Sequence, residues 1–101
     1  IETILKNYAS VKPSYGNVDM QITFDHQHDH YFLNSIGWDG HERIHGCLLH
    51  VDLKNNKIWI QYDGTEEGIA DELVSLGVPK ENIILAFHPS YKRPYTGFAV
   101  N

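Results

Sequence analysis

The sequence predicts a small α+β domain: an N-terminal helix, a four-stranded antiparallel meander sheet, a second helix, and a short C-terminal strand with a helical tail. Four stretches alternate apolar and polar residues with the period of two that β-strands show, and turn-forming residues join them closely. On either side of these stretches, apolar residues recur three and four positions apart, as in amphipathic helices. A chain of 101 residues has room for one domain, which we expect to span residues 1–101.

The predicted N-terminal helix rests on Ile1, Ile4, Leu5 and Tyr8, which have the i, i+3, i+4, i+7 spacing of one helix face. No capping residue precedes this run and the chain does not begin with Met, so we expect a longer helix that is truncated here. The turn-forming segment that contains Pro13 then ends it, because proline disfavours the helical conformation in the residue before it.

The meander is predicted from four strands in succession: Val18–Phe24, Tyr31–Trp38, Arg43–Leu53 and Lys57–Tyr62. Asp39-Gly40 is a strong hairpin signal between the second and third strands, and Lys54–Lys57 suits a turn between the third and fourth. Since connections this short join antiparallel neighbours, the four strands are expected to form an antiparallel sheet.

A second helix is predicted after the sheet, with Asp63 or Thr65 able to cap its N-terminus. Gly77 and Pro79 are the usual signals for its end. Ile83–Phe87 is apolar and short enough for a strand, and a tail follows to the C-terminus. The expected apolar face of this helix consists of Ile69, Leu73 and Leu76.

Large apolar side chains are predicted on both faces of the sheet. On the third strand, strict alternation places Cys47 in a row with Leu49 and turns Leu48 to the other side. A sheet with one solvated face shows cleaner alternation, so either helices cover both faces or one face is a protein interface. The interface candidates are Trp38, Trp59, Ile36 and Leu48.

Composition excludes several classes of protein. Eight Lys and Arg against thirteen Asp and Glu give a net charge of −5, and the densest basic group is Lys92-Arg93. Direct nucleic-acid binding is therefore not expected. A single cysteine, Cys47, excludes an intrachain disulfide and fits a reducing cytoplasm. The longest apolar run, Ile83–Phe87, is far shorter than the roughly 20 residues that span a bilayer, so no membrane association is expected.

The stretch FDHQHDHY contains His26, His28 and His30, which would share one face if the first strand continued through them. Imidazoles at this spacing can bind zinc and related ions, which would make the protein a metal-dependent hydrolase or nuclease subunit. They could also form a pH-sensitive interface. We interpret the stretch as the polar end of a strand and expect no resident metal or cofactor.

Two other groups contain residue types that occur in catalytic sites. Cys47 and His45 could share a strand face, but a thiol within an apolar row is more typical of a core position. Asp63 with Glu66 and Glu67 could act as paired carboxylates, although helix capping and the helix dipole account for them. No set of residues makes a catalytic constellation, so we expect the protein not to be an enzyme.

A family resemblance rests on the stretches KPSYG, GWDG and YTGFAV and on the long block HGCLLHVDLKNNKIWIQYDGTEEGIADELVSLGVPKENIILAFHP. Through them the chain resembles XisI, the fdxN-element excision controlling factor, from about Lys12 to Val100. The resemblance implies a small cytosolic cyanobacterial protein of α+β fold, with a longer N-terminal helix than the one visible here.

The resemblance also implies a function. XisI-type proteins act with XisH-like partners to permit excision of a DNA element by a separate large serine recombinase during heterocyst differentiation. The resemblance carries over no catalytic residues to this chain, and members of the family usually show a mixed acidic and basic stretch where this chain has DHQHDH. We therefore expect a non-catalytic controlling factor that binds an XisH-like protein. In isolation we expect a homodimer that buries Trp38 or Trp59.

Overall fold

A five-stranded mixed sheet, in the order β1-β2-β3-β4-β5, forms the body of the protein. The computed structural model describes residues 6, 17–65 and 68–101. The elements are β1 (Asn17–Asp25), β2 (His30–Asp39), β3 (Glu42–Lys54), β4 (Lys57–Asp63), α1 (Ile69–Ser75) and β5 (Ile83–Leu85), with 3₁₀ turns at Lys80–Asn82 and Arg93–Tyr95.

Tight turns make β1 to β4 antiparallel neighbours, as the alternation of the sequence predicts. Asn55 and Asn56 form the two-residue connection between β3 and β4, and both have positive φ values, of 54° and 61°. A type I′ hairpin turn requires positive φ at both central residues, and asparagine tolerates positive φ better than most residues do.

The predicted four-stranded antiparallel architecture is wrong, because β5 joins the sheet as a fifth strand parallel to β4. Ile83 lies opposite Ile58, and Leu85 lies opposite Ile60. Parallel neighbours need a long crossover connection, and α1 with its flanking loops provides it. Among the elements whose bounds are described α1 is the one α-helix, and Lys6 also has a helical conformation. The N-terminal helix predicted from Ile1 to Tyr8 falls, apart from Lys6, outside the described residues.

The helix α1 begins later than predicted, yet Asp63 still caps it. The Oδ2 atom of Asp63 accepts a hydrogen bond of 2.8 Å from the backbone N–H of Ile69, the first residue of α1. Its Oδ1 atom accepts another, of 2.9 Å, from the backbone N–H of Thr65. One carboxylate thus closes the loop and satisfies a free N–H at the positive end of the helix. Glu66 and Glu67 lie outside the described residues.

The core lies between α1 and one face of the sheet. Cross-strand pairs such as Leu33 with Leu49 and Val51 with Ile60 place apolar side chains side by side on this face. The core cluster consists of Tyr31, Leu33, Leu49, Val51, Ile60, Ile69, Leu73 and Ile83, each at most 5% exposed. We call the opposite face of the sheet the outer face.

A bulge in β3 changes which side chains reach the outer face. Leu33 lies opposite Leu49, but the next residue of β2, Asn34, lies opposite Cys47. Leu48 is therefore an extra residue, and it packs against the core together with Leu49. Strict alternation placed Cys47 in the core row, whereas the structure leaves Cys47 exposed.

A second register shift lies between β3 and β4. Val51 lies opposite Ile60, but His50 lies opposite Tyr62, so Gln61 is the extra residue. Because the shift falls next to His50, it brings Gln61 and Tyr62 to the part of β3 that carries polar residues.

In the described part of the chain, no helix has the length and apolar character to cross a membrane.

Candidate functional site

The candidate site is the outer face of the sheet, where large aromatic and ionisable side chains lie together. On β2 the residues two apart share a face, so His30, Phe32, Ile36 and Trp38 all project to the outer side. Trp38 is 50% exposed, and Tyr62 on β4 is exposed to the same extent. The β3 residues opposite the β2 set, in the same order, are Asp52, His50, His45 and Arg43.

A polar cluster centred on Asp52 occupies this face. Its Oδ1 atom lies 2.7 Å from Nδ1 of His30 and 2.8 Å from Nε2 of His50. Its Oδ2 atom accepts a hydrogen bond of 3.2 Å from Nε2 of Gln61. The ring of Phe32 stacks on that of His50, with centroids 4.3 Å apart and an angle of 29° between the planes. We call His30, His50 and Asp52 the outer-face triad.

Strand register explains why these groups meet. His30 lies directly opposite Asp52, and Phe32 lies directly opposite His50. His50 and Asp52 are two residues apart on β3, so their side chains project from the same face. The second register shift then supplies Gln61 from β4.

Electrostatics couple the triad. Partial burial would raise the pKa of Asp52, but the hydrogen bonds from His30 and His50 outweigh it, so this pKa lies below its ordinary value. The hydrogen bond to Asp52 raises the pKa of His30, with smaller contributions from the charges of Asp25 and Asp29. The cluster therefore favours a charged carboxylate beside a protonated imidazole.

The three histidines singled out in the sequence do not lie on one strand face. β1 ends at Asp25, and His26 and His28 lie in the turn that follows. The Nδ1 atom of His28 lies 2.8 Å from Oδ2 of Asp25, and the backbone N–H of His28 donates to Oδ1 of the same carboxylate. The ring of His26 meets the ring of Tyr31 edge-on. Only His30 belongs to the triad.

Sequence reasoning did not single out His50 and Asp52. The available signal was a histidine and an aspartate two apart on a predicted strand, which places both on one face. To connect them with His30 requires the register between β2 and β3, and alternation alone does not supply it. In the described part of the chain, the triad is the group of His, Cys, Asp and Glu residues whose ligand atoms, all within 4.8 Å of one another, could hold a metal ion.

The four interface candidates have different environments. Trp38 is half exposed, with the guanidinium of Arg43 5.3 Å from its ring centre. Ile36 is half buried beside it. Leu48 packs against the core at the bulge. The ring of Trp59 has the cationic groups of Lys54 and Arg93 over it.

Trp59 is largely covered by its own chain. Its Nε1 atom donates a hydrogen bond of 3.1 Å to the carbonyl of Lys54. The amine of Lys54 lies 5.1 Å and the guanidinium of Arg93 lies 5.9 Å from its ring centre. Both cations are thus engaged in cation–π contacts with this ring. Trp59 lies opposite Asp52 and so shares the outer face with Trp38 and Ile36, but its ring is covered by these two cations.

The other catalytic candidates have structural surroundings. The thiol of Cys47 donates to the carbonyl of Leu49 over 3.1 Å, and burial raises the pKa of this thiol, so it is not activated as a thiolate. Oδ2 of Asp63 accepts the backbone hydrogen bond of Ile69 at the start of α1, and Oδ1 accepts that of Thr65 in the preceding loop.

Comparisons with known proteins agree on one family. A sequence model of the XisI protein family matches residues 1–100 of the chain. A crystal structure of a XisI-like protein from Anabaena variabilis is 41% identical, with a TM-score of 0.90 over 99% of this chain and 92% of that chain. The fdxN element excision controlling factor XisI from Anabaena variabilis is 37% identical, with a TM-score of 0.81 over 99% of this chain and 91% of that chain. The curated proteins contain no match.

Proposed function

Since the chain belongs to the XisI family, we propose that it is a non-catalytic controlling factor for excision of a DNA element and that it acts by binding another protein. One observation carries the proposal. The outer face presents Trp38 at 50% exposure and Tyr62 at 50% exposure, with half-buried Phe32 and Ile36 on the same side. Large aromatic side chains of this kind are the residues that dominate binding energy in protein interfaces.

The proposed partner is an XisH-like protein. The chain has a net charge of −5, so it is suited to a partner surface that carries positive charge. Through this partner the protein would act on a separate serine recombinase, in the rearrangement that accompanies heterocyst differentiation. The single cysteine of the sequence fits the reducing cytoplasm, which is where we propose that this occurs.

Direct contact with DNA is not part of the proposal, because the side chains of Arg93 and Lys54 are engaged around the Trp59 ring. The guanidinium of Arg93 donates to the carbonyl of His88 over 3.1 Å and lies over Trp59, as does the amine of Lys54. Phosphate binding needs several cations free at one surface. The acidic chain and these contacts favour a protein partner.

Trp38 is the proposed anchor of the interface. The ring lies near the end of β2, opposite Arg43 of β3, and the guanidinium lies against one side of it. Tryptophan and arginine are both enriched among residues whose truncation costs the most binding energy. Half of the Trp38 surface remains exposed and would be covered by the partner.

Co-expression with the XisH-like protein tests the proposal by affinity capture and by sizing of the complex. We expect a stoichiometric complex, and we expect Trp38→Ser to weaken it at least about tenfold, or by about 1.4 kcal/mol. Tyr95→Ser is the matched control, since Tyr95 is an aromatic residue of the tail that is 89% exposed. Failure of the two folded proteins to co-purify, or equal weakening by both variants, would refute the proposal.

A further inference from the structure

We propose that the outer-face triad of His30, His50 and Asp52 binds one divalent transition metal ion, with zinc as the ion that its ligands suit best. This site goes beyond the proposed function, since the interface anchored on Trp38 does not depend on it. The three residues come from two neighbouring strands, β2 and β3, and are brought together by the register of the sheet.

Convergence of ligand atoms is the first argument. Nδ1 of His30 and Nε2 of His50 both approach the same carboxylate oxygen, Oδ1 of Asp52, at 2.7 and 2.8 Å. All three ligand atoms lie within 4.8 Å of one another. A tetrahedral zinc ion bound at about 2.0–2.1 Å separates its ligand atoms by roughly 3.3 Å. The two nitrogen-to-oxygen distances therefore need to lengthen by only about 0.5 Å to admit an ion of this geometry.

The chemistry of the ligands is the second argument. Two imidazoles and one carboxylate form a set that zinc and neighbouring transition metals prefer over calcium or magnesium, which favour oxygen ligands. Three protein ligands leave a tetrahedral ion one open position, for water or for a side chain of a bound protein. The His30 side chain is 43% exposed, so solvent and ions can reach the triad from the outer face.

Support from neighbouring side chains is the third argument. Gln61 donates to Oδ2 of Asp52 and leaves Oδ1 facing the two imidazoles. Phe32 stacks on His50 with ring centroids 4.3 Å apart, which limits rotation of that imidazole. Metal sites in proteins commonly have such second contacts, because they hold the ligands in the orientation that the ion requires. All five side chains project from paired strands of one sheet, which are rigid supports.

The triad differs from the histidine run that the sequence first suggested. His28 lies in the turn after β1, where its Nδ1 atom is 2.8 Å from Oδ2 of Asp25. The rings of His28 and His30 stack with centroids 6.3 Å apart. The two residues whose ligand atoms converge with that of His30, His50 and Asp52, are nevertheless on β3. The proposal therefore predicts dependence on His50 and independence of His28.

Metal titration of the untagged protein tests this assignment. Zinc binding is followed by calorimetry, and cobalt substitution by the visible absorption that tetrahedral Co²⁺ shows. We expect one equivalent of zinc and a tetrahedral cobalt spectrum. His50→Gln and Asp52→Asn should each weaken zinc binding at least about tenfold. Circular dichroism shows whether each variant is folded, and His30→Gln provides a second test at the most exposed position of the triad.

His28→Gln and His45→Gln are the matched controls. Both residues are exposed histidines outside the triad, so their replacement should leave zinc affinity unchanged within about twofold, the spread expected of surface substitutions. Several weak equivalents of zinc that no triad variant removes would show adventitious histidine affinity and overturn the proposal. Loss of binding in His28→Gln with binding retained in His50→Gln would overturn it as well.

Discussion

Nδ1 of His30 lies 2.7 Å from Oδ1 of Asp52, and the two residues face each other directly across β2 and β3. The contact joins the first residue of β2 to the part of β3 that precedes its turn. Because the His50 imidazole and the Gln61 amide approach the same carboxylate, Asp52 connects three strands on the outer face. The pH response and the proposed metal site of the protein both depend on this carboxylate.

Stability should depend on pH through this pair. Asp52 raises the pKa of His30 above its ordinary value of 6.5, so this stabilisation is fully present below pH 6.5 and is lost as the pH rises through the folded-state pKa. The imidazoles lower the pKa of Asp52 below its ordinary 3.8, so that stabilisation is present above pH 3.8 and is lost as the pH falls through the folded-state pKa. The pair should therefore contribute most between pH 3.8 and 6.5.

Thermal unfolding in a chelating buffer measures this effect without interference from metal. The Tm difference between the wild type and Asp52→Asn should be larger near pH 5.5 than near pH 8.5, which is about two units above the ordinary histidine pKa. Asp19→Asn, at an exposed position of β1, provides the control. A Tm difference for Asp52→Asn that is equal at the two pH values would contradict the prediction. Asp25 and Asp29 also raise the pKa of His30. Both aspartates are unchanged in Asp52→Asn, so the comparison isolates the contribution of Asp52.

Gly37 is expected to tolerate no side chain. A Cβ atom at this position would lie 2.1 Å from the carbonyl oxygen of Asn17 and 2.7 Å from Cα of Val18, both of which are backbone atoms of β1. Its φ of +158° adds strain for any other residue. We expect Gly37→Ala to lower the free energy of unfolding by about 3 kcal/mol.

Urea unfolding checks this prediction, with Gly46→Ala as the control. Gly46 also lies in a strand, β3, but no atom lies within 4 Å of the position of an added Cβ. Its replacement should change the free energy of unfolding by no more than about 0.5 kcal/mol. Similar losses in the two variants would show that close backbone approach is not the cause.

Asp63 should stabilise α1 from outside the helix. Asp63→Ala removes the acceptors of the Ile69 and Thr65 backbone N–H groups, and we expect it to cost about 1–2 kcal/mol of unfolding free energy. Asp63→Asn keeps one oxygen acceptor and should lose less. Asp71→Ala removes an exposed acidic residue of the first turn of α1 and should cost no more than about 0.5 kcal/mol. If Asp71→Ala cost as much unfolding free energy as Asp63→Ala, the stabilisation would come from negative charge near the helix N-terminus and not from the hydrogen bonds of Asp63, which would contradict the prediction.

In the absence of its partner, the protein is expected to form a homodimer through the same outer face. Trp38, 50% exposed, is the side chain whose burial would stabilise the dimer. Light scattering at tens of micromolar should give the mass of two chains for the wild type and of one chain for Trp38→Ser. Trp59→Phe is the comparison, because Lys54 and Arg93 already lie over the Trp59 ring. A monomeric wild type would refute this prediction.

The antiparallel strands were predictable because their signals are local. Alternation over Val18–Phe24 and the turn at Asn55 and Asn56 each depend on a few consecutive residues. The parallel position of β5 was not predictable from such signals. Ile83–Leu85 is an apolar run of three residues, and its direction in the sheet is set by the path of the crossover through α1.

The bulge at Leu48 had the largest effect on the site prediction. A single extra residue reverses the faces of every position that precedes it in β3. It moved Cys47 from the expected core row to an exposed position and packed Leu48 against the core. Gly46, two residues before Leu48, was the local signal available, since a glycine inside a strand often marks a bulge, but it does not say which residue is the extra one.

By itself, the sequence determined the family, the acidic charge, the four antiparallel strands and the aromatic residues available for an interface. These properties depend on composition or on residues that are close together in the chain. Only the tertiary structure decided that His30 meets Asp52 and His50 rather than His26 and His28. The physical reason is that β-strand register is set by contacts between distant segments, and a shift of one residue changes which side chains share a face.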